Sequence, residues 1–376
     1  MKILHTESSP GWGGQEMRIL REAEGMRRRG HTVVMAIQKG GGLVEPARKA
    51  GFIVYEVPFK KSHILHILQK MRYIIKRHKI QVVNTHSSLD AWCAGLVGKV
   101  MRCHVVRTRH LSTPIKAGLN SWLLYNVLAH KVVTTCGEIV EVIEKQAHLK
   151  EGRCLSIPTG IDVSQVHVKA QEALDFRNQL GLKEEDILVG TLCVLRGWKG
   201  VSDMLHAAKI LEKDERIHWV VVGSGSSEAY FKGLCAQLEL EKRVHFMGHI
   251  SPPFAALAAM DIFTLLSWDH EGVSQASLQA AYLKRPLVTT PTGGLKEVCF
   301  NGQTGFLVDC YAPEQVAEAV AKLAGNQSLR QTMGEAAHRL VTKNFLFEHT
   351  LDAVERAVLP HPASPQTSPN RPAAEG

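Results

Sequence analysis

Four stretches of this sequence carry residue types at spacings that could do chemistry. One is Ser267-Trp268-Asp269-His270-Glu271-Gly272-Val273-Ser274, an acidic loop between the end of an apolar strand and a helix expected from about Ser274 to Leu283. A helix N-terminus offers free N–H groups and a positive dipole end, which suit phosphate or sugar hydroxyls. Glu271 stands just before it and Gln279 lies in its first turns. The plainer reading is that Glu271 caps the helix and Gln279 is solvated. A second stretch, Leu195-Arg196-Gly197-Trp198-Lys199-Gly200, sets two cations between a strand and a helix. On its own it reads as well as surface charge. A third, Val221-Val222-Gly223-Ser224-Gly225, is a strand with a glycine turn; the full G-x-G-x-x-G of a dinucleotide site is absent. The fourth, Gly11-Trp12-Gly13-Gly14-Gln15-Glu16, is a glycine loop that lets backbone approach a ligand, or a tight turn with no ligand. His86 and His110 each follow a β-branched run, where a ring could bond a hydroxyl or move a proton.

The elements that must position these residues alternate. Short runs rich in Val, Ile and Thr (2–5, 32–37, 52–57, 82–85, 105–108, 132–135) are separated by helical patterns at about 16–29, 62–78 and 122–129. Continuous β-branched runs mean strands buried on both faces, hence a parallel sheet covered by helices. Residues 155–166 read as an extended Pro/Gly-bearing stretch. The alternation then restarts, with strands at 188–192, 219–222, 244–247, 261–266, 287–290 and 305–308 and helices at 201–211 and 230–238. We expect two Rossmann-like domains, 1–160 and 161–344, then a helix at about 345–358. Residues 360–376 hold five prolines and no aromatic residue and read as a disordered tail. In the carboxyl-end crevice of such sheets, His86 and His110 would face a ligand.

The passage 267–298 resembles glycosyltransferase family 4. Glu271 matches the first acid of the family's E-x7-E, while Gln279 stands where the second acid belongs. Arg285-Pro286-Leu287 replaces Gly-x-Pro-Val, and Gly293, Gly294 and Glu297 match GG-x-x-E. Lys199-Gly200 matches the family's Arg-x4-Lys-Gly loop, with Arg196 two positions closer to the lysine than the pattern has it. The glycine loop at 11–16 resembles the family's GGxE. The likeness runs over roughly residues 1–355.

The resemblance implies a GT-B fold, α/β, with two Rossmann-like domains whose parallel sheets face an interdomain cleft. It implies a retaining, metal-independent transferase that takes a UDP-, GDP- or ADP-linked sugar and needs no cofactor. Donor binding would fall to Gly13, Gly14, Arg196, Lys199, Gly223, Gly225, Glu271, Gly272, Val273, Ser274 and Gln279. Catalysis would rest on His110, Glu271, Lys199 and Arg196. Cations beside the departing diphosphate stabilise its growing charge. The acceptor side would hold His86, His110, Gln15 and Glu16. Gln279 can still bond ribose hydroxyls as a neutral group. The final helix would cross back to the first domain.

Charge supports an anionic acceptor. Of 376 residues, 45 are Lys or Arg and 36 Asp or Glu, a net +9. Residues 1–160 hold 25 cations and 11 anions, a net +14, which leaves −5 for the rest. Two stretches, 60–79 and 119–128, mix apolar and basic residues, the second preceded by Arg107, Arg109 and Lys116; each is either a core-facing helix or a surface for anionic lipid headgroups. With the resemblance, this points to a phosphorylated glycolipid or glycan acceptor on the inner face of the cytoplasmic membrane, as in lipopolysaccharide or capsular polysaccharide assembly. Eight scattered cysteines show no metal or redox spacing, and no run reaches the ~18 apolar residues of a membrane span, so a cytoplasmic site is expected. Two other classes stay open: a nucleotide-sugar epimerase or hydrolase of the same fold, and a basic nucleic-acid-binding protein. Against the latter, the cations are not interleaved with stacking aromatics, so no nucleic acid is expected.

Overall fold

The computed structural model describes residues 1–110, 115–269 and 271–358. The expected tail at 360–376 and His270 lie outside them. The chain order is β1 (Lys2–Glu7), α1 (Gly14–Arg28), β2 (Thr32–Gln38), α2 (Val44–Lys49), β3 (Ile53–Val57), α3 (Ile64–His78), β4 (Val82–Thr85), α4 (Ser88–Val100), β5 (His104–Thr108), α5 (Leu119–Trp122), β6 (Lys131–Thr134), α6 (Gly137–Ala147) and β7 (Cys154–Ser156). Then follow α7 (Ala170–Gln179), β8 (Ile187–Leu192), α8 (Val201–Ile210), β9 (Ile217–Val222), α9 (Glu228–Gln237), β10 (Val244–Gly248), α10 (Phe254–Ala259), β11 (Ile262–Leu265), α11 (Gln275–Tyr282), β12 (Leu287–Thr289), β13 (Gly305–Leu307), α12 (Pro313–Ala324), α13 (Gln327–Asn344) and α14 (Phe347–Val358).

The strands form two sheets, ordered β3-β2-β1-β4-β5-β6-β7 and β10-β9-β8-β11-β12-β13. The strand pairs are parallel, as the unbroken β-branched runs require. By packing, the chain divides into two units. One comprises Met1–Arg107, Val127–Lys131 and the chain from Asp352; the other comprises Thr108–Asn126 and Val132–Leu351. The first unit's core gathers Leu4, Val34, Val83, Ile67, Met71 and Ile74. The second packs Val189, Trp219, Val221, Leu205, Phe231 and Val320.

Two readings of the sequence change. In the stretch at 60–79 Ile64, Leu65, Leu68, Met71, Ile74 and Ile75 stand at helical spacing. In α3 the buried positions are Ile67, Met71, Ile74 and Ile75, an i, i+4, i+7, i+8 set, while Leu65 is 77% exposed. Arg107, which precedes the second mixed stretch, is buried on β5 and its Nη1 donates to the Thr85 carbonyl at 3.4 Å. The extended stretch at 155–166 begins as β7 and continues through an isolated bridge from Ile161 to Leu346.

In the first unit α14 is tied back by charge. Arg29 reaches Asp352 at 2.8 Å and Glu355 at 3.0 Å, and His31 Nε2 meets Glu355 at 2.8 Å.

Candidate active site

In the second unit the chemistry collects where β8 and β11 end. After β8 the chain makes a short 3₁₀ turn, Gly197–Lys199, and Gly200 starts α8 with φ of 69°. A Cβ at Gly200 would lie 2.0 Å from the Leu266 carbonyl oxygen, so only glycine lets this loop lie against the end of β11. The two loops are joined again where the Trp268 N–H donates to the Trp198 carbonyl at 3.0 Å.

That closeness brings Lys199 and Glu271 together. Lys199 Nζ contacts Glu271 Oε1 directly, and Ser267 Oγ donates to the same oxygen at 2.8 Å. Glu271 is 6% exposed. A carboxylate this buried needs a cation and a donor, and it has both. Behind it, Gly293 has φ of 56° and a Cβ there would sit 1.9 Å from the Glu271 carbonyl oxygen; at Gly294 it would sit 2.4 Å from Val273 N. The paired glycines thus underlie the Glu271-Gly272-Val273 backbone, and Gly294 N–H donates to the Glu271 carbonyl at 3.3 Å. Val273 is buried, and Ser274 N-caps α11, its hydroxyl accepting from Ser277 N at 3.3 Å. Gln279 is half-buried in the middle of α11.

Arg196 does not join the pair. It is exposed and its guanidinium lies over the Trp198 ring at 5.2 Å. Gly223 and Gly225 follow β9, and a Cβ on either would strike the Cys193 or Leu195 carbonyl oxygen at 1.9 and 2.3 Å. They serve the packing of the β8 loop, whose Leu195 N–H donates to the Ser224 carbonyl at 3.0 Å. Glu297 accepts from the Gly137 N–H at 2.7 Å, so the acid of the GG-x-x-E stretch caps α6 in the same unit. Burial raises its carboxyl above the usual range, and the Gly137 bond opposes this.

The first unit shows a different arrangement. Gly13 precedes α1, and a Cβ on Gly14 would meet nothing within 4 Å. Packing therefore does not demand glycine at 14; the bare backbone leaves open space there. Gln15 Nε2 donates to Glu7 Oε2 at 2.5 Å and to Ser87 Oγ at 3.1 Å. Glu16 is buried beside the loop. His86 is only 2% exposed and its Nε2 bonds His5 Nδ1 at 2.9 Å, the two rings stacked at 5.1 Å. Its ring is thus committed to His5. Burial alone depresses His5 to about 4, so that ring is neutral at physiological pH. His110, just after β5, is half-buried and belongs by packing to the second unit, as Lys199 and Glu271 do.

Sequence reasoning missed Glu7, Asp90 and Ser87. Burial, and then the charge of Asp90, raise Glu7 to about 7. Asp90 accepts from Thr6 Oγ1 at 2.8 Å, Ser8 Oγ at 3.0 Å and the His86 and Ser87 N–H groups. The available signal was polar residues clustered just after two β-branched runs. Among the described residues no group of His, Cys, Asp and Glu could hold a metal ion, and no helix is long and apolar enough to cross a membrane.

Two family models match this chain, Glycosyltransferase Family 4 over residues 12–165 and Glycosyl transferases group 1 over residues 173–340. The chain belongs to glycosyltransferase family 4. Among the relatives of this transferase is the N-acetyl-alpha-D-glucosaminyl L-malate synthase of Bacillus anthracis, 24% identical over 358 residues, 87% of this chain and 93% of that one. A glycosyltransferase of Rickettsia africae ESF-5 shares its fold with a TM-score of 0.86 at 20% identity, over 95% of this chain and 97% of the other. Anabaena Alr3699/HepE, solved in complex with UDP and glucose, does so with a TM-score of 0.78 at 19% identity, over 95% and 98%. These neighbours show the GT-B fold expected of the transferase.

Proposed function

We propose that this glycosyltransferase moves a sugar from a nucleoside-diphosphate donor to an anionic glycolipid or glycan, retaining the anomeric configuration and using no metal. The observation that carries this reading is the Lys199–Glu271 contact at the ends of β8 and β11, beside the N-terminus of α11. A donor diphosphate placed there would draw Lys199 to its own charge and free Glu271 for sugar hydroxyls. When the bond from the anomeric carbon to the diphosphate breaks, its electron pair stays on the phosphate oxygen. The acceptor oxygen bonds the same carbon and its hydroxyl proton passes to His110 or to an oxygen of the departing phosphate. Lys199 and the α11 N–H groups stabilise the charge that develops on the leaving group. Gln279 would bond ribose hydroxyls, and the open backbone at Gly13 and Gly14 would leave room for substrate. His110 would bond the acceptor hydroxyl or its proton.

The acceptor reading rests on the +14 of residues 1–160 and on exposed apolar residues beside cations. Leu65 and Tyr73 on α3 are exposed among Lys70, Arg72, Lys76 and Arg77, and Leu119 and Trp122 are exposed on α5 near Lys116. An acceptor built on lipid, as in lipopolysaccharide or capsular polysaccharide assembly, would hold the enzyme at the inner face of the cytoplasmic membrane.

The decisive experiment is a thermal-shift screen of UDP-, GDP- and ADP-sugars, followed by transfer assays with and without EDTA. A ligand that binds the folded protein raises its midpoint. No shift with any nucleotide sugar would sink the donor assignment. Activity lost in EDTA and restored by a divalent ion would sink the metal-free one. Nucleotide released at an undiminished rate without acceptor would point instead to a hydrolase.

A further inference from the structure

Glu7 closes β1 and belongs to none of the motifs above. Its side chain is 1% exposed. Donors from three places converge on its carboxylate: Gln15 Nε2 on Oε2 at 2.5 Å, the Ser9 N–H on Oε1 at 2.6 Å, and Ser87 Oγ, also on Oε1. Ser9 and Gln15 are the two ends of the glycine loop, and Ser87 leads into α4. One carboxylate therefore fastens both ends of that loop to a third element. Little else holds it from the open side, where a Cβ on Gly14 would touch nothing. From below, Gly42 lies so close that a Cβ there would meet the Gly11 carbonyl oxygen at 2.8 Å.

An ionised carboxylate accepts from all of these donors as they stand. A protonated one turns one oxygen into a donor, so the Gln15 amide must turn over or let go and the tie to the loop is rearranged. We propose that Glu7 is a positioning residue whose ionised carboxylate braces the Gly11–Gln15 loop for substrate, and whose protonation loosens that loop and slows transfer. The titration falls in a useful range, since burial and the Asp90 charge lift Glu7 to about 7 while its bonds from Ser87, Ser9 and Gln15 oppose the rise. The other ionisable groups nearby are His5 on the same strand, His86 after β4, Asp90 on α4, Glu16 on α1 and Arg107 on β5, whose charge bears on Asp90.

The inference rests on the transferase reading, so it is tested by two readouts. In hydrogen exchange, corrected for the intrinsic pH dependence, wild-type amides of residues 9–15 should exchange faster, by up to about tenfold, as pH falls from 8 to 6. Glu7→Gln, which imitates the protonated shape, should exchange fast at both pH values. In transfer assays, wild-type kcat/KM should fall about tenfold per pH unit below about 7, as for one essential ionisation. Glu7→Gln should be slow and flat over that range. Ser87→Ala removes a bond that favours the ionised form, so its acid limb should move to higher pH, while its melting midpoint falls only by the loss of the α4 cap. An acid limb unchanged in Glu7→Gln, or loop exchange indifferent to both pH and substitution, overturns the proposal. Absent transfer by the wild type, with the exchange pattern as expected, overturns the transferase reading and leaves the brace standing.

Discussion

Lys199 and Glu271 hold each other, so neither can be changed without exposing its partner. Lys199→Ala leaves a buried carboxylate with only the Ser267 hydroxyl and removes a cation from the proposed leaving group. Turnover should fall on the order of 10²–10³-fold, as when one stabilising donor is removed from an active site. Steady-state kinetics beside a melting curve would separate this from unfolding. Gln279→Glu restores the family's acid and should keep or raise activity; an inactive variant would show that the neutral amide is needed. His5 gives a sign for stability. Its folded pKa of about 4 lies below the ordinary imidazole value of 6.5, so the stability it confers is present above about 6.5 and lost as pH falls through about 4. The loss is on the order of 3 kcal/mol, and His5→Asn should flatten that part of the melting-midpoint profile. These residues differ in how visible they are in sequence. Lys199, Glu271 and Gln279 sit at element ends within one recognisable pattern. Glu7 has no local pattern, because its partners Gln15 and Ser87 are eight and eighty residues away. His86 looked available for the same reason: the ring that occupies it comes from β1.

At the scale of elements, glycines carry the geometry that side chains use. Gly293, with φ of 56°, lets its loop pass under Glu271. Gly293→Ala should push the Glu271 backbone away and cost about 1–3 kcal/mol in strain, with a larger fractional loss of activity than of folded protein at 25 °C. Activity equal to wild type at unchanged melting midpoint would show that the loop does not position Glu271. The strands were legible because buried parallel strands leave continuous β-branched runs. The helix α3 was legible as an element but not in its facing, since apolar residues occur on both of its sides and periodicity cannot say which side is covered. Leu65, 77% exposed, is the informative position. Leu65→Asp should leave stability within about 0.5 kcal/mol, as surface changes usually do, while weakening any attachment to anionic vesicles.

At the scale of the molecule, the charge division of +14 and −5 is a statement about partners and not about fold. Vesicles containing anionic lipid should retain the protein at low salt and release it as ionic strength rises past the point where the Debye length is about 8 Å. Retention by neutral vesicles alone would remove electrostatics from the account. The two-sheet architecture was readable from the restart of the alternation after residue 160, but the grouping of the chain was not. Residues 132–156 supply β6 and β7 to the first sheet yet pack with the second unit, a partition set by contacts that no local pattern encodes.

The helix α14 makes the first unit discontinuous, and that has a consequence for synthesis. A ribosome releases β1 through β5 long before it releases Asp352 and Glu355, the residues that clamp to Arg29 and His31. For most of translation the N-terminal strands must wait for a piece that has not yet been made. Val354, Ala357 and Val358 are buried in the finished protein, so the surface they cover stays open until the last helix arrives. The nascent first unit is then the stage most in need of chaperone protection, and the order in which the chain is made runs opposite to the order in which its first unit can close.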